Sequence, residues 1–240
     1  MTINKDQVLR KNLTAVAIYN ALFFEHKNKQ KALISITIGD EKLTSLFQLR
    51  RDFISEIRKI LKRKAYQGQK IAYFTNIELG ASNGELTKEF NPHIHFQFFY
   101  DNYEPIKLAL QTIEEKYTFS NKDIQHAKKK KAYMGYIIKE YLPKNYHATL
   151  EIQKKKLGMK KPLYTSSRKA IPNYVIRYIY HHYKTVAFKK WQTIDTQKRY
   201  QFILNQIKIG RIKIEPLLND IPKKGYKVVK KYQVYIKIQH

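Results

Sequence analysis

The chain has 240 residues and sets 47 Lys+Arg against 19 Asp+Glu, a formal net charge of +28 whose self-repulsion is most simply balanced by a polyanionic partner, nucleic acid ahead of an anionic membrane. It has no cysteine, which excludes disulfides, thiolate zinc sites and thiol nucleophiles and leaves any metal to His and carboxylate. No apolar run reaches the ~20 residues of a membrane span, and the N-terminal run, broken by Asn20, lacks the pattern of a secretory signal, so the sequence reads as cytoplasmic.

Residues 6 to 24 have the spacing of an amphipathic helix, and Ala32 to Ile38 (ALISITI) that of a half-buried strand with Ile34, Ile36 and Ile38 alternating. From Ser45, with Gln48 as the partner in a capping box, Leu46, Leu49, Phe53, Ile57, Ile60 and Leu61 recur at helical spacing, and this helix is expected to end near Gly68. Lys70 to Leu79 reads as the next strand. A connection through Ser82-Asn83-Gly84 then leads into the strand that opens with Asn91-Pro92-His93-Ile94-His95. Pro105 starts a further helix, a short strand covers Lys122 to Ala127, and a helix follows from about Lys130 to Tyr141.

The order β-α-β-β-α-β describes an α+β domain, a ferredoxin-like split βαβ antiparallel sheet with both crossover helices on one face and the other face open. The first domain is placed at residues 1–145, with its N-terminal helix. Residues 146–240 form a basic, mostly helical C-terminal region expected to bind DNA or to mediate oligomerisation. Its aromatic stretch (Tyr174, Arg177, Tyr178, Tyr180, Tyr183, Lys184) suits either a single-strand binding surface or plain core.

A strand points alternate side chains to opposite faces, so His93, His95 and Gln97 share one face and Ile94, Phe96 and Phe98 the other. Two imidazoles at i and i+2 form a ready pair of ligands for a divalent ion, although an HxH pair by itself more often describes hydrogen-bonded surface histidines. Glu78 is the carboxylate placed to complete the set, because it ends the neighbouring strand, and opposed Cβ atoms of an antiparallel pair lie about 4.5–5.5 Å apart. Glu85 and Glu89 compete for that role from the connection.

On the helix after residue 130, Met134, Ile137, Ile138 and Tyr141 form an apolar stripe, and Tyr136 with Lys139 lies on roughly the opposite side. A lysine neighbour lowers the cost of a phenolate and offers a contact to phosphate. Tyr133, one turn earlier, is a second candidate nucleophile. His126 and His147 have no evident partner in the sequence.

The succession NPHIHFQFF, then GYIIKE with its Y-x-x-K element, resembles the HUH endonuclease superfamily, most closely the rolling-circle replication initiators of plasmids and phages. The similarity covers about residues 31 to 142, and Tyr164-Thr165-Ser166-Ser167-Arg168 followed by Pro172 is similar to a stretch that follows the tyrosine helix in some initiators. The resemblance implies an HUH nuclease fold and a metal-dependent nick of single-stranded or hairpin DNA at a replication origin. His93, His95 and Glu78 would hold Mg²⁺ or Mn²⁺, and Tyr136, assisted by Lys139, would form a 5′-phosphotyrosine. No phosphate-binding loop G-x-x-x-x-G-K-[ST] occurs, so a host helicase and polymerase would complete the work, with homo-oligomerisation left open. The tyrosine follows the histidines, and Glu140 stands where small single-strand transposases carry Gln. Both features favour an initiator over a transposase or relaxase, and the rival from another class is a non-catalytic basic single-strand binding module.

Overall fold

The computed structural model describes residues 5–39, 43–78, 92–127, 137, 162–167, 202–204 and 206–207. The chain divides into two compact units: Met1–Glu25 with Ile138–Gly158 and Lys169–His240, and His26–Ile137 with Met159–Arg168.

In the first unit, helix α1 spans Lys5–Glu25. The sequence suggests an amphipathic helix, but from Asn12 to Leu22 every residue except Thr14 is buried. The segment LTAVAIYNAL has no continuous polar stripe to give to water, and a helix apolar on all sides is buried on all sides. Its internal polar residue Asn20 is accommodated by a hydrogen bond from Nδ2 to the carbonyl of Ile207, 3.0 Å away in the same unit.

The second unit is an α+β fold on one antiparallel sheet. Its elements are β1 (Gln30–Ile38), α2 (Leu43–Leu61), a 3-10 turn (Lys64–Tyr66), β2 (Ala72–Glu78), β3 (His93–Tyr100), α3 (Glu104–Lys116), β4 (Phe119–Ala127) and β5 (Tyr164–Ser166). The strands lie in the order β4-β1-β3-β2-β5, and every neighbouring pair is antiparallel. All six elements expected between residues 32 and 127 form in the expected order, and β4 begins earlier than the sequence suggests. Helix α2 stops at Leu61, short of Gly68. The chain there passes through the 3-10 turn, and Gly68 takes φ 84°, a left-handed conformation that side chains with a Cβ disfavour.

Helix α2 buries Leu46, Leu49, Phe53, Ile57 and Ile60 of the residues whose spacing announces it and leaves Leu61 half-buried. The Phe53 ring meets Phe96 and Phe98 edge-on at centroid distances of 4.9 and 5.6 Å, which seats α2 on the Ile94-Phe96-Phe98 face. Gln48 does not form the expected capping box. The helix begins two residues before Ser45, so Gln48 lies in its second turn, donating from Nε2 to Asp52 Oδ1 at 2.7 Å. Asp52 links α2 to the end of α3 by accepting from Lys116 Nζ and from the Tyr117 hydroxyl. Burial acts against its charged form, but the hydrogen bonds from Lys116, Tyr117 and Gln48 outweigh that and hold its carboxyl below its ordinary value of 3.8.

The opposite face of the sheet is not open, as the strand order alone suggests. Lys31, Leu33, Phe74, Asn76, Glu78, His95, Gln97 and Phe99 all lie on it and are all buried. Strand β5, which falls in the region expected to be mostly helical, extends the sheet at the β2 edge. Its side chain Thr165 Oγ1 lies 3.0 Å from Thr75 Oγ1, and Ser167 N–H donates to Tyr73 O at 2.9 Å. Arg50, buried in α2, donates to the Leu163 carbonyl at 2.7 Å and so fixes the approach to β5.

Candidate metal centre

The register of β2 against β3 sets Glu78 opposite His93 and Asn76 opposite His95. Opposed residues of an antiparallel pair point to the same face, so the carboxylate meets one imidazole directly and the other along the diagonal. The two oxygens of Glu78 divide between the rings: Oε2 lies 3.3 Å from His93 Nε2 and Oε1 3.2 Å from His95 Nε2. The imidazoles stand edge to face, with centroids 4.7 Å apart.

One donor atom from each of Glu78, His93 and His95 can be chosen so that all lie within 4.8 Å of one another. A divalent ion bonded at about 2.0–2.2 Å holds adjacent donors about 2.8–3.1 Å apart in an octahedron and about 3.3–3.6 Å apart in a tetrahedron. The two Glu78–His separations, 3.3 and 3.2 Å, lie where those two ranges meet. The donor chemistry also fits a divalent cation, since carboxylate is a common ligand of Mg²⁺ and Mn²⁺ and neutral imidazole of Zn²⁺, Fe²⁺ and Ni²⁺. The Glu78 and His95 side chains are 4% and 2% exposed, and a carboxylate so withdrawn from water needs facing donors or a cation. His93, at 22%, is the member nearest solvent.

On the β1 side, the register sets Ser35 opposite His95, and Ser35 Oγ lies 2.7 Å from His95 Nδ1. The next residue along the β3 face is Gln97, whose Nε2 donates to Ala32 O at 3.1 Å. On the β2 side, Phe74 stacks on Tyr164 of β5 with centroids 5.7 Å apart and planes 7° apart, which brings the start of the Tyr164-Thr165-Ser166 stretch onto the metal-centre face.

The structure therefore brings together His93, His95 and Glu78. Tyr136, Lys139 and Tyr133 lie outside the described residues, as do Glu85, Glu89, His147, Arg168, Pro172 and the aromatic stretch from Tyr174 to Lys184. His126 has partners that the sequence does not reveal. Its Nδ1 is 3.0 Å from the Tyr100 hydroxyl, and Tyr103 meets its ring edge-on at 4.6 Å. Burial raises the Tyr103 phenol to about 12, with the neighbouring Tyr100 and Glu114 adding to the shift, so at neutral pH it stays protonated. Sequence reasoning also missed Ser35 and Asn76. The alternation of ISITI already sets Ser35 on the face away from Ile34 and Ile36, but only the strand order shows that this face is shared with His95.

No protein-family model, curated protein or solved structure matches the chain.

Proposed function

We propose that the protein is a metal-dependent DNA nicking and joining enzyme of the HUH type, acting as a replication initiator on single-stranded or hairpin DNA. The observation that carries this reading is the buried Glu78–His93–His95 cluster on adjacent antiparallel strands, in a chain of net charge +28. The strand order β4-β1-β3-β2, with two helices inserted in the ferredoxin-like sequence of elements, supports it. The family resemblance of NPHIH and GYIIKE supplies the nucleophile.

In this reading His93, His95 and Glu78 hold Mg²⁺ or Mn²⁺, and the ion, when bound, withdraws charge from the scissile phosphate. Glu78 and His95, fixed by the sheet, keep their donors in place without reorganisation. Tyr136 attacks phosphorus through its phenolic oxygen, losing its proton to solvent or a neighbouring base. The bond to the 3′ oxygen breaks, that oxygen takes up a proton, and a 5′-phosphotyrosine and a 3′-hydroxyl result. Lys139 steadies the phenolate and the phosphate. The covalent bond conserves the energy of the broken one, so the reverse attack by a 3′-hydroxyl rejoins the strand.

Incubation with labelled single-stranded oligonucleotides and Mn²⁺, followed by denaturing electrophoresis, tests the reading. A covalent adduct is expected from wild type and from Tyr133→Phe, and none from Tyr136→Phe or His95→Ala. Binding to oligonucleotides bearing an origin sequence without adduct would leave a basic single-strand binding module instead.

A further inference from the structure

His95 has two ring nitrogens, and the strand order gives each a different neighbour. The distal Nε2 faces Glu78 Oε1 at 3.2 Å, whereas the proximal Nδ1 faces Ser35 Oγ at 2.7 Å. Ser35 reaches that position because β1 lies on the other side of β3 from β2, in a register that makes Ser35 and His95 directly opposed residues. A short side chain directly across the strand pair suits the nitrogen nearest the backbone. The ring itself is 2% exposed at its side chain, so water contributes little to either nitrogen.

Only one tautomer of a neutral imidazole can ligate through Nε2, namely the one whose proton is on Nδ1. In that state Nδ1–H needs an acceptor, and the Ser35 hydroxyl oxygen is in place to be one. Without an ion, a proton on Nε2, facing the Glu78 carboxylate at 3.2 Å, suits the other tautomer, and Nδ1 then needs a donor. A hydroxyl serves both states by rotating its own proton, whereas a carboxylate or carbonyl at this position could only accept and an alanine could do neither.

We propose that Ser35 is the positioning residue of the metal centre, its hydroxyl holding His95 in register and switching from donor to acceptor as the ring changes tautomer on ion binding. The inference rests on reading Glu78, His93 and His95 as a metal centre. The proton count is closed: one proton leaves Nε2, one is taken up at Nδ1 through exchange with water, and the ring remains neutral throughout.

Mn²⁺ titration of the full chain, read by the loss of the free-ion electron paramagnetic resonance signal, compares wild type with Ser35→Ala and Ser35→Thr. Ser35→Ala is expected to bind about 10–100-fold more weakly, the usual cost of losing a partner behind a ligating histidine, and Ser35→Thr to restore affinity because it restores the hydroxyl. Nitrogen-15 spectra of the histidines supply a second readout that a purely structural role would not move. In wild type, saturating Mg²⁺ is expected to shift the His95 proton from Nε2 to Nδ1. Ser35→Ala binding Mn²⁺ within twofold of wild type, or a His95 tautomer unaltered by a bound ion, overturns the role of Ser35 and leaves the metal centre standing. A wild-type chain that takes up no ion overturns the metal reading beneath it, and the role of Ser35 with it.

Discussion

On one face of β3, Ile94, Phe96 and Phe98 lie buried beneath α2; on the other, His93, His95 and Gln97 sit among Glu78, Ser35 and Asn76, and all but His93 and Ser35 are buried as deeply. The two faces come from alternate residues of a single eight-residue strand, so they share backbone, temperature and solvent and differ in side chains alone. The apolar face gains free energy from every methylene it removes from water. The polar face gains little, because each hydrogen bond made there replaces one to water, and each buried polar atom left imperfectly paired has a cost. Gln97 shows this: its amide nitrogen donates to Ala32 O, but its Oε1 is buried with no hydrogen-bond partner among the described residues. A buried layer of imidazole, carboxylate and amide is therefore hard to explain as a device for stability, and easy to explain as a device for holding donors rigidly around an ion.

The contrast can be broken most forcefully from the apolar side. Phe53→Ala removes the ring wedged on Phe96 and Phe98 and is expected to lower stability by about 3–5 kcal/mol in urea unfolding, with the ion affinity of the molecules that remain folded unchanged. Reduced affinity alongside reduced stability would show that the two faces are not independent. Next in size is the ion itself. Mn²⁺ at about 100 times its dissociation constant should add roughly 2.7 kcal/mol to the unfolding free energy of wild type, and a chelator should remove that gain. The same addition to Glu78→Ala should shift nothing.

Gln97→Met is expected to change stability by less than about 1.5 kcal/mol in either direction, because it keeps the volume and removes an amide whose oxygen is already unsatisfied. A loss near that of Phe53→Ala would mean that the polar face contributes as much to folding as the apolar one. The smallest effect expected is at Asp52, on the helix layer. Its carboxyl is held below 3.8 in the folded chain, so its contribution is complete above about pH 4 and disappears as pH falls through the folded value. The acid limb of a stability curve should therefore flatten in Asp52→Asn, which loses that contribution above pH 5 and approaches wild type as the pH falls.

Much of this arrangement is legible in the sequence, for reasons that differ by region. Period-two alternation in ALISITI and HIHFQFFY marks β1 and β3, and the run Leu46, Leu49, Phe53, Ile57, Ile60 marks α2, because burial of one face imposes a period that residues far apart in the chain need not confirm. His93, His95 and Glu78 could be grouped because strands that follow one another in the chain are usually neighbours in the sheet. Ser35 could not be. Its meeting with His95 depends on β1 lying next to β3 rather than β2, a choice made by the packing of the whole sheet. Strand β5 escaped because three residues carry no period, and its pairing with β2 is supported from elsewhere, by the guanidinium of Arg50 on the Leu163 carbonyl. The solvated second face was misjudged because a strand order says which residues share a face and nothing about what covers it.

Ion binding at the polar face of β3 is the decisive property. Titration of the full chain with Mn²⁺, followed calorimetrically, should show uptake at one site in wild type and none at that site in His95→Ala, whose circular dichroism should match wild type. Equal uptake by both proteins, or none by wild type, would contradict it.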